Sequence, residues 1–175
     1  MNRIRKGFSA LCLMAGLGTS VPFHQASAEE VSPVVTYRSL SPEIALRLVR
    51  NTLEACRQAG YQVGVAVVDR SGILQAYLRD RYAGPHTVDV AIRKAWTAAS
   101  FRTDTLTMVE ETQAGKLQSG IRMLEKAMMV GGGIPIEVDG SVVGALGVSG
   151  APNGEQDDVC GRKGLATIED DLNLF

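Results

Sequence analysis

The chain has 175 residues, 45% of them apolar and 21% charged, with a formal net charge of −1. One globular domain suits this length, and the even spread of apolar residues excludes a disordered chain. A balanced charge excludes the concentrated basic surface that phosphate-backbone binding needs, so nucleic acid is not an expected partner.

Arg3, Arg5 and Lys6 precede an apolar run from Phe8, and Ala26-Ser27-Ala28 then offers the small residues a signal peptidase reads. Extended to Val21, the run is 14 residues, against the roughly 20 needed to cross a bilayer. Residues 1–28 are therefore expected to be a cleaved signal peptide, giving a periplasmic or secreted protein with no stable membrane anchor. Cleavage would leave 15 basic against 19 acidic residues, a single histidine, His86, and two cysteines, Cys56 and Cys160. Export makes a disulfide feasible, but sequence spacing cannot bring two Cα atoms together, and the expectation is two buried, unpaired thiols.

Residues 29–40 show no period and read as a lead-in to one domain over 41–175. Ser41-Pro42-Glu43 supplies an N-cap, a first-turn proline and a first-turn acid for a helix that Gly60 ends. Val63 to Val68, the turn Asp69-Arg70-Ser71-Gly72 and Ile73 to Leu78 predict a hairpin. Gly84-Pro85 breaks the chain, and Thr87 is expected to cap a helix reaching about Phe101. Its Ala91, Ala95, Ala98 and Ala99 would admit another helix, a neighbouring subunit or a flat ligand. Thr103-Asp104 should cap a helix through Val109, and Leu117, Ile121, Leu124 and Met128 predict another over 117–129. After Gly131-Gly132-Gly133, Asp139-Gly140 between apolar runs marks a second hairpin, and Glu155 to Asp158 open a last helix ending near Asp170. Hairpins separated by helices give an α+β domain with a mainly antiparallel sheet.

Zinc-ligand spacing, a Walker loop and a Gly-x-Ser-x-Gly elbow are all missing from the sequence. His86, beside a proline and ahead of a helix, reads either as an iron or metal ligand or as a solvated loop residue. Arg93 lies seven residues on, within about 20° of the same helical face and roughly 10 Å along it; with Lys94 it could meet an acidic ligand group or simply be surface charge. Asp89 could orient the imidazole, but a first-turn carboxylate is the preferred reading. Gly131, Gly132 and Gly133 could cradle an anion or make a tight connection. Glu155, Asp157 and Asp158 resemble a divalent-metal cluster, with helix capping preferred, and the methionines are expected to fill the core.

Ala83-Gly84-Pro85-His86-Thr87-Val88-Asp89 with Ala91 to Ala98, then Gly132 to Ile136, Val143 to Ala151 and Asp157-Asp158, resemble the GlcG/HbpS haem-binding family over Ser41 to Ile168. The resemblance implies a profilin-like domain with a five-stranded antiparallel sheet, homo-oligomers and haem as ligand. His86 would be the axial iron ligand, Arg93 or Lys94 would meet a propionate, and Gly131 to Gly133 would help form the pocket. Carriage, storage, sensing and degradation of haem all stay open. So do an enzyme acting on a carboxylated substrate through Asp157 or Glu155, and an accessory module for a membrane sensor.

Overall fold

The computed structural model describes residues 32–173. The expected signal peptide lies outside them. Two units are separated: one ends at Val35, and within it the Ser32 hydroxyl bonds the Val34 carbonyl. The other runs from Thr36 and carries every helix and strand among the described residues.

Helix α1 (Pro42–Gln58) starts where the Ser41 hydroxyl accepts the Ile44 N–H, and it ends at Gly60, whose φ of 85° suits a residue without a Cβ. Strands β1 (Gly64–Asp69) and β2 (Leu74–Arg79) form the first hairpin. Helix α2 (Thr87–Phe101) follows, then α3 (Thr105–Glu111). Strands β3 (Gly133–Val138) and β4 (Ser141–Ser149) turn through Asp139 and Gly140, both at positive φ, as a two-residue hairpin loop demands. Helices α4 (Gly154–Ala166) and α5 (Glu169–Leu172) complete the chain.

All strand pairs are antiparallel, in the order β2-β1-β4-β3. The described sheet thus has four strands, not the five implied by the family resemblance. The two hairpins supply all four, and the lead-in meets the sheet backbone through the Leu40 N–H and the Val143 carbonyl without becoming a strand. Pro135 is tolerated because β3 is an edge strand. Val143 is the extra residue of a bulge in β4, and it joins the core toward α1.

One face of the sheet packs Val65, Val67, Ile134, Leu146 and Val148 against Leu48, Val49 and Leu53 of α1, with α4 beside them. There Cys56 and Cys160 are joined in a disulfide across α1 and α4, their Cα atoms 5.2 Å apart. Both cysteines are buried, as expected, but they are not free thiols: the helix crossing brings together residues 104 apart in sequence. The other face packs Ala66, Val68 and Ala145 against Ala91, Ala95, Ala98 and Ala99 of α2. The alanines of α2 therefore serve close approach to the sheet of their own chain. A Cβ on Gly147 would collide with the backbone carbonyl of Ala91.

The expected helix over 117–129 does not form. Only Ser119–Met123 makes a short 3-10 turn. Arg122 bonds the carbonyls of Thr112 and Val109, and Arg93 bonds those of Glu125, Lys126 and Ala127, so two guanidiniums hold the segment as a strap. Met108 and Met129 are buried beneath it, whereas Met123 is 87% exposed and fills no core. The last helix is also shorter than expected, because Thr167 donates to the Gly164 carbonyl and interrupts it before Glu169.

Candidate functional site

The N-terminus of α2 is set by a tight turn in which both the backbone N–H and the hydroxyl of Thr87 donate to the Gly84 carbonyl. Thr87 is buried as the first helical residue. The cap position falls to His86, which offers no side-chain cap bond, so the expected capping by Thr87 is replaced by this turn. The His86 imidazole is exposed and has no hydrogen-bond partner among the described residues. A Cβ on Gly84 would lie 2.7 Å from both Cε1 and Nδ1 of that ring. The Nδ1 edge thus rests against a residue with no side chain, and the Nε2 edge is turned away from it. Beneath the turn, the Tyr77 hydroxyl is buried without a partner among the described residues, in the same small space by Gly64 as the Thr87 hydroxyl.

Asp89 does not bond His86. Its carboxylate is 70% exposed and lies 3.5 Å from Arg93, consistent with the first-turn role. Arg93 shares the helical face of His86, but its guanidinium is committed to the strap, with donor distances of 2.7 to 3.3 Å to three successive carbonyls.

Lys94 points the other way. Its Nζ donates to Asp157 Oδ2 at 2.8 Å and to the Val148 carbonyl at 2.9 Å, and its side chain is 1% exposed. Asp157 also accepts the Ala151 N–H. Burial pushes the Lys94 ammonium below its ordinary range and the Asp157 carboxyl above its own, each opposed by the charge of the other. The three glycines are wedged around this pair. A Cβ on Gly132, whose φ is 108°, would lie 2.7 Å from the Asp157 Cβ and 3.3 Å from Lys94 Nζ. Gly133 donates its N–H to the Thr105 hydroxyl, and Gly131 abuts the backbone of Gly154. The triple glycine is thus wedged between α2 and α4 where the strap runs into β3.

His86 and the Lys94 cluster are therefore separate places on α2. Asp158 pairs with Arg162 at 2.7 Å, and Asn153 is the side chain that caps α4. Among the described residues no three His, Cys, Asp or Glu side chains are grouped to hold a metal ion. The Lys94–Asp157 pair was not read from the sequence, although a signal existed: Ala91, Lys94, Ala95 and Ala98 fall at i, i+3, i+4 and i+7, which places the lysine on the apolar face.

A family model described as "Haem degrading protein HbpS-like" matches residues 40–166. Protein GlcG of Escherichia coli K12 is 31% identical over 110 residues, 63% of this chain and 81% of GlcG. The corrinoid adenosyltransferase PduO of Salmonella typhimurium is 30% identical over 143 residues, 81% of this chain but only 41% of PduO. Among solved structures, a double mutant of Streptomyces reticuli HbpS superposes with a TM-score of 0.74 at 31% identity, covering 84% of this chain and 99% of that one. A PduOC:heme complex gives 0.70 at 29% identity, covering 75% and 96%. The turn, the helix that carries His86 and Lys94, and the glycine connection all fall within the matched span, and the chain belongs to the HbpS-like family.

Proposed function

We propose that this chain is an exported haem-binding protein in which His86 supplies an axial nitrogen to the iron. The observation that carries the reading is the geometry of His86: an exposed imidazole without a partner among the described residues, held at the start of α2 with its Nε2 edge turned away from Gly84. A neutral imidazole is a suitable donor for haem iron, which would supply the redox and gas-binding chemistry when bound. The family's description and the haem in the PduOC neighbour support the choice of ligand. Arg93 is the cation for a propionate through its Nη1, which makes no strap bond and lies 3.5 Å from Asp89 on the same helical face as His86. Lys94 and Gly131 to Gly133 act behind that surface, fixing α2 against α4. Asp157 is closed off by its pairing with Lys94, which favours carriage over acid–base turnover at that residue.

Export is supported by the N-terminal signal pattern and by the Cys56–Cys160 disulfide, since such bonds persist in oxidising compartments. Self-association is part of the reading too. Exposed Tyr82, Leu117 and Met123, 81%, 97% and 87% accessible, offer apolar surface for contact between copies.

Haem titration followed by the Soret band tests the proposal. His86→Ala is expected to shift the band and weaken binding by roughly tenfold or more. An unchanged band and affinity would remove His86 from the site. Haem dimethyl ester, which lacks the carboxylates, should bind wild type more weakly and Arg93→Ala no more weakly than haem itself does.

A further inference from the structure

At the opposite end of α2 from His86, about 24 Å away along the helix, lies a polar cleft of about 430 Å³. Three separate pieces of chain build it: Arg70 and Ser71 from the first hairpin turn, Ser100 and Arg102 from the end of α2, and Glu137 and Ser141 from the second hairpin. Arginines elsewhere in the domain mostly end on a carboxylate or a carbonyl, as Arg57 does on Asp80 and Arg93 on the strap. Arg102 makes no such bond among the described residues, and Arg70 only stacks its guanidinium on the Tyr37 ring at 4.2 Å. Stacking uses the face of a guanidinium and leaves its N–H edge available. The hydroxyls of Ser71, Ser100 and Ser141 are likewise without partners among the described residues.

Arg102 has φ 53° and ψ 41°, the left-handed conformation that favours glycine just past a helix end. An arginine held there carries backbone strain, and it lines the cleft. Two arginines and one carboxylate, Glu137, line the cleft, so its lining carries an excess of positive charge. The negative end of the α2 dipole opposes an anion, but that effect is weaker than a direct guanidinium contact.

We propose that this cleft is a second binding site, distinct from the haem surface, for a small oxyanion bearing a carboxylate or phosphate group. Arg70 and Arg102 supply the charge-assisted bonds, and the serine hydroxyls complete the donor set. Glu137 limits the affinity and disfavours ligands with a larger negative charge.

Calorimetric titration of the folded protein with inorganic phosphate and, separately, with malonate tests this, with chloride adjusted to hold ionic strength constant. The two probes separate a phosphate from a carboxylate preference. Saturable binding of at least one is expected. Arg102→Gly removes the guanidinium while relieving the left-handed strain, so it keeps the fold and should weaken binding by about tenfold or more. Arg70→Gln should weaken it similarly, and Glu137→Gln should tighten it. His86→Ala should leave anion binding unchanged, which keeps this result independent of the haem reading. Absence of saturable binding by both probes, or wild-type affinity in Arg102→Gly, would overturn the proposal.

Discussion

Toward α1 and α4 the sheet presents Val65, Val67, Leu146 and Val148, whereas toward α2 it presents Ala66, Ala145 and Gly147 with Val68 as its one branched residue. The first face is filled by volume: branched aliphatic side chains interlock with Leu48, Val49 and Leu53, and a disulfide fastens the helices that cover it. The second face is filled by proximity. Side chains are small enough for helix backbone to rest almost on strand backbone, and polar anchors hold the helix there. Lys94 ties it to Asp157 and Val148, Arg93 to the strap, and the Thr97 hydroxyl accepts the Met128 N–H. A helix so close to the sheet has little apolar area to bury, so its position depends on directional bonds, and its two exposed ends are left for ligands.

If this contrast is right, the largest single effect should come from the buried pair under α2. Lys94→Met strands Asp157 in a site that already disfavours its charge, and should cost about 3–5 kcal/mol of unfolding free energy at neutral pH. Because burial raises the Asp157 carboxyl, the cost should shrink as pH falls and that group takes up a proton more readily than an exposed aspartate does. Replacing Asp157 by Asn in the same chain should recover part of the loss, as denaturant melts of the single and double variants would show. A Lys94→Met loss under about 1 kcal/mol would mean that the small-residue packing alone holds α2.

The volume-filled face should lose about 2–4 kcal/mol when Cys56 and Cys160 are both replaced by Ala, since the bond closes a loop of roughly 100 residues in the unfolded chain. Thermal melts of the double variant measure this, and haem binding at His86 should be unaffected because the bond lies across the sheet from α2. A parallel loss of ligand affinity would show that the two faces are coupled.

The smallest effect expected is at the edge of the first face, where Arg57 on α1 holds the Asp80 carboxylate through two bonds of 2.7 and 3.0 Å. This pairing keeps the Asp80 carboxyl below its ordinary value. The stability it contributes is therefore complete above about pH 3.9, the unfolded value, and is lost as pH falls through the lower folded one. Asp80→Asn should flatten that acid limb in pH-dependent melts and leave the shape of the curve at neutral pH unchanged.

Much of the chain could be read before any fold was seen. Ser41-Pro42-Glu43 marked the start of α1, and the Asp139-Gly140 pair marked the second hairpin, because caps and two-residue turns are short-range chemistry. The strap departs from its sequence pattern because Leu117, Ile121, Leu124 and Met128 repeat at helical spacing, while the guanidinium that takes the segment's carbonyls comes from α2, more than 30 residues away. At the site, His86 could be singled out from the sequence, as the histidine left after the expected signal peptide and as the one within the family-like motif Ala83 to Asp89. Its neighbours could not, because the Gly84 backbone shapes the ring's resting place and no pattern of side chains records that.

What the amino-acid sequence determined by itself was the succession of α1, the two hairpins, α2, α3 and α4, and a histidine, His86, at the head of a slim helix. Those features follow from local conformational preference and from the period of apolar residues. The tertiary structure decided the pairing of Cys56 with Cys160, the burial of Lys94 against Asp157, the capture of the strap by Arg93 and the meeting of Arg70 with Arg102 in one cleft. Each joins residues far apart in the chain, and only the packing of helices and hairpins around the sheet brings them within bonding distance.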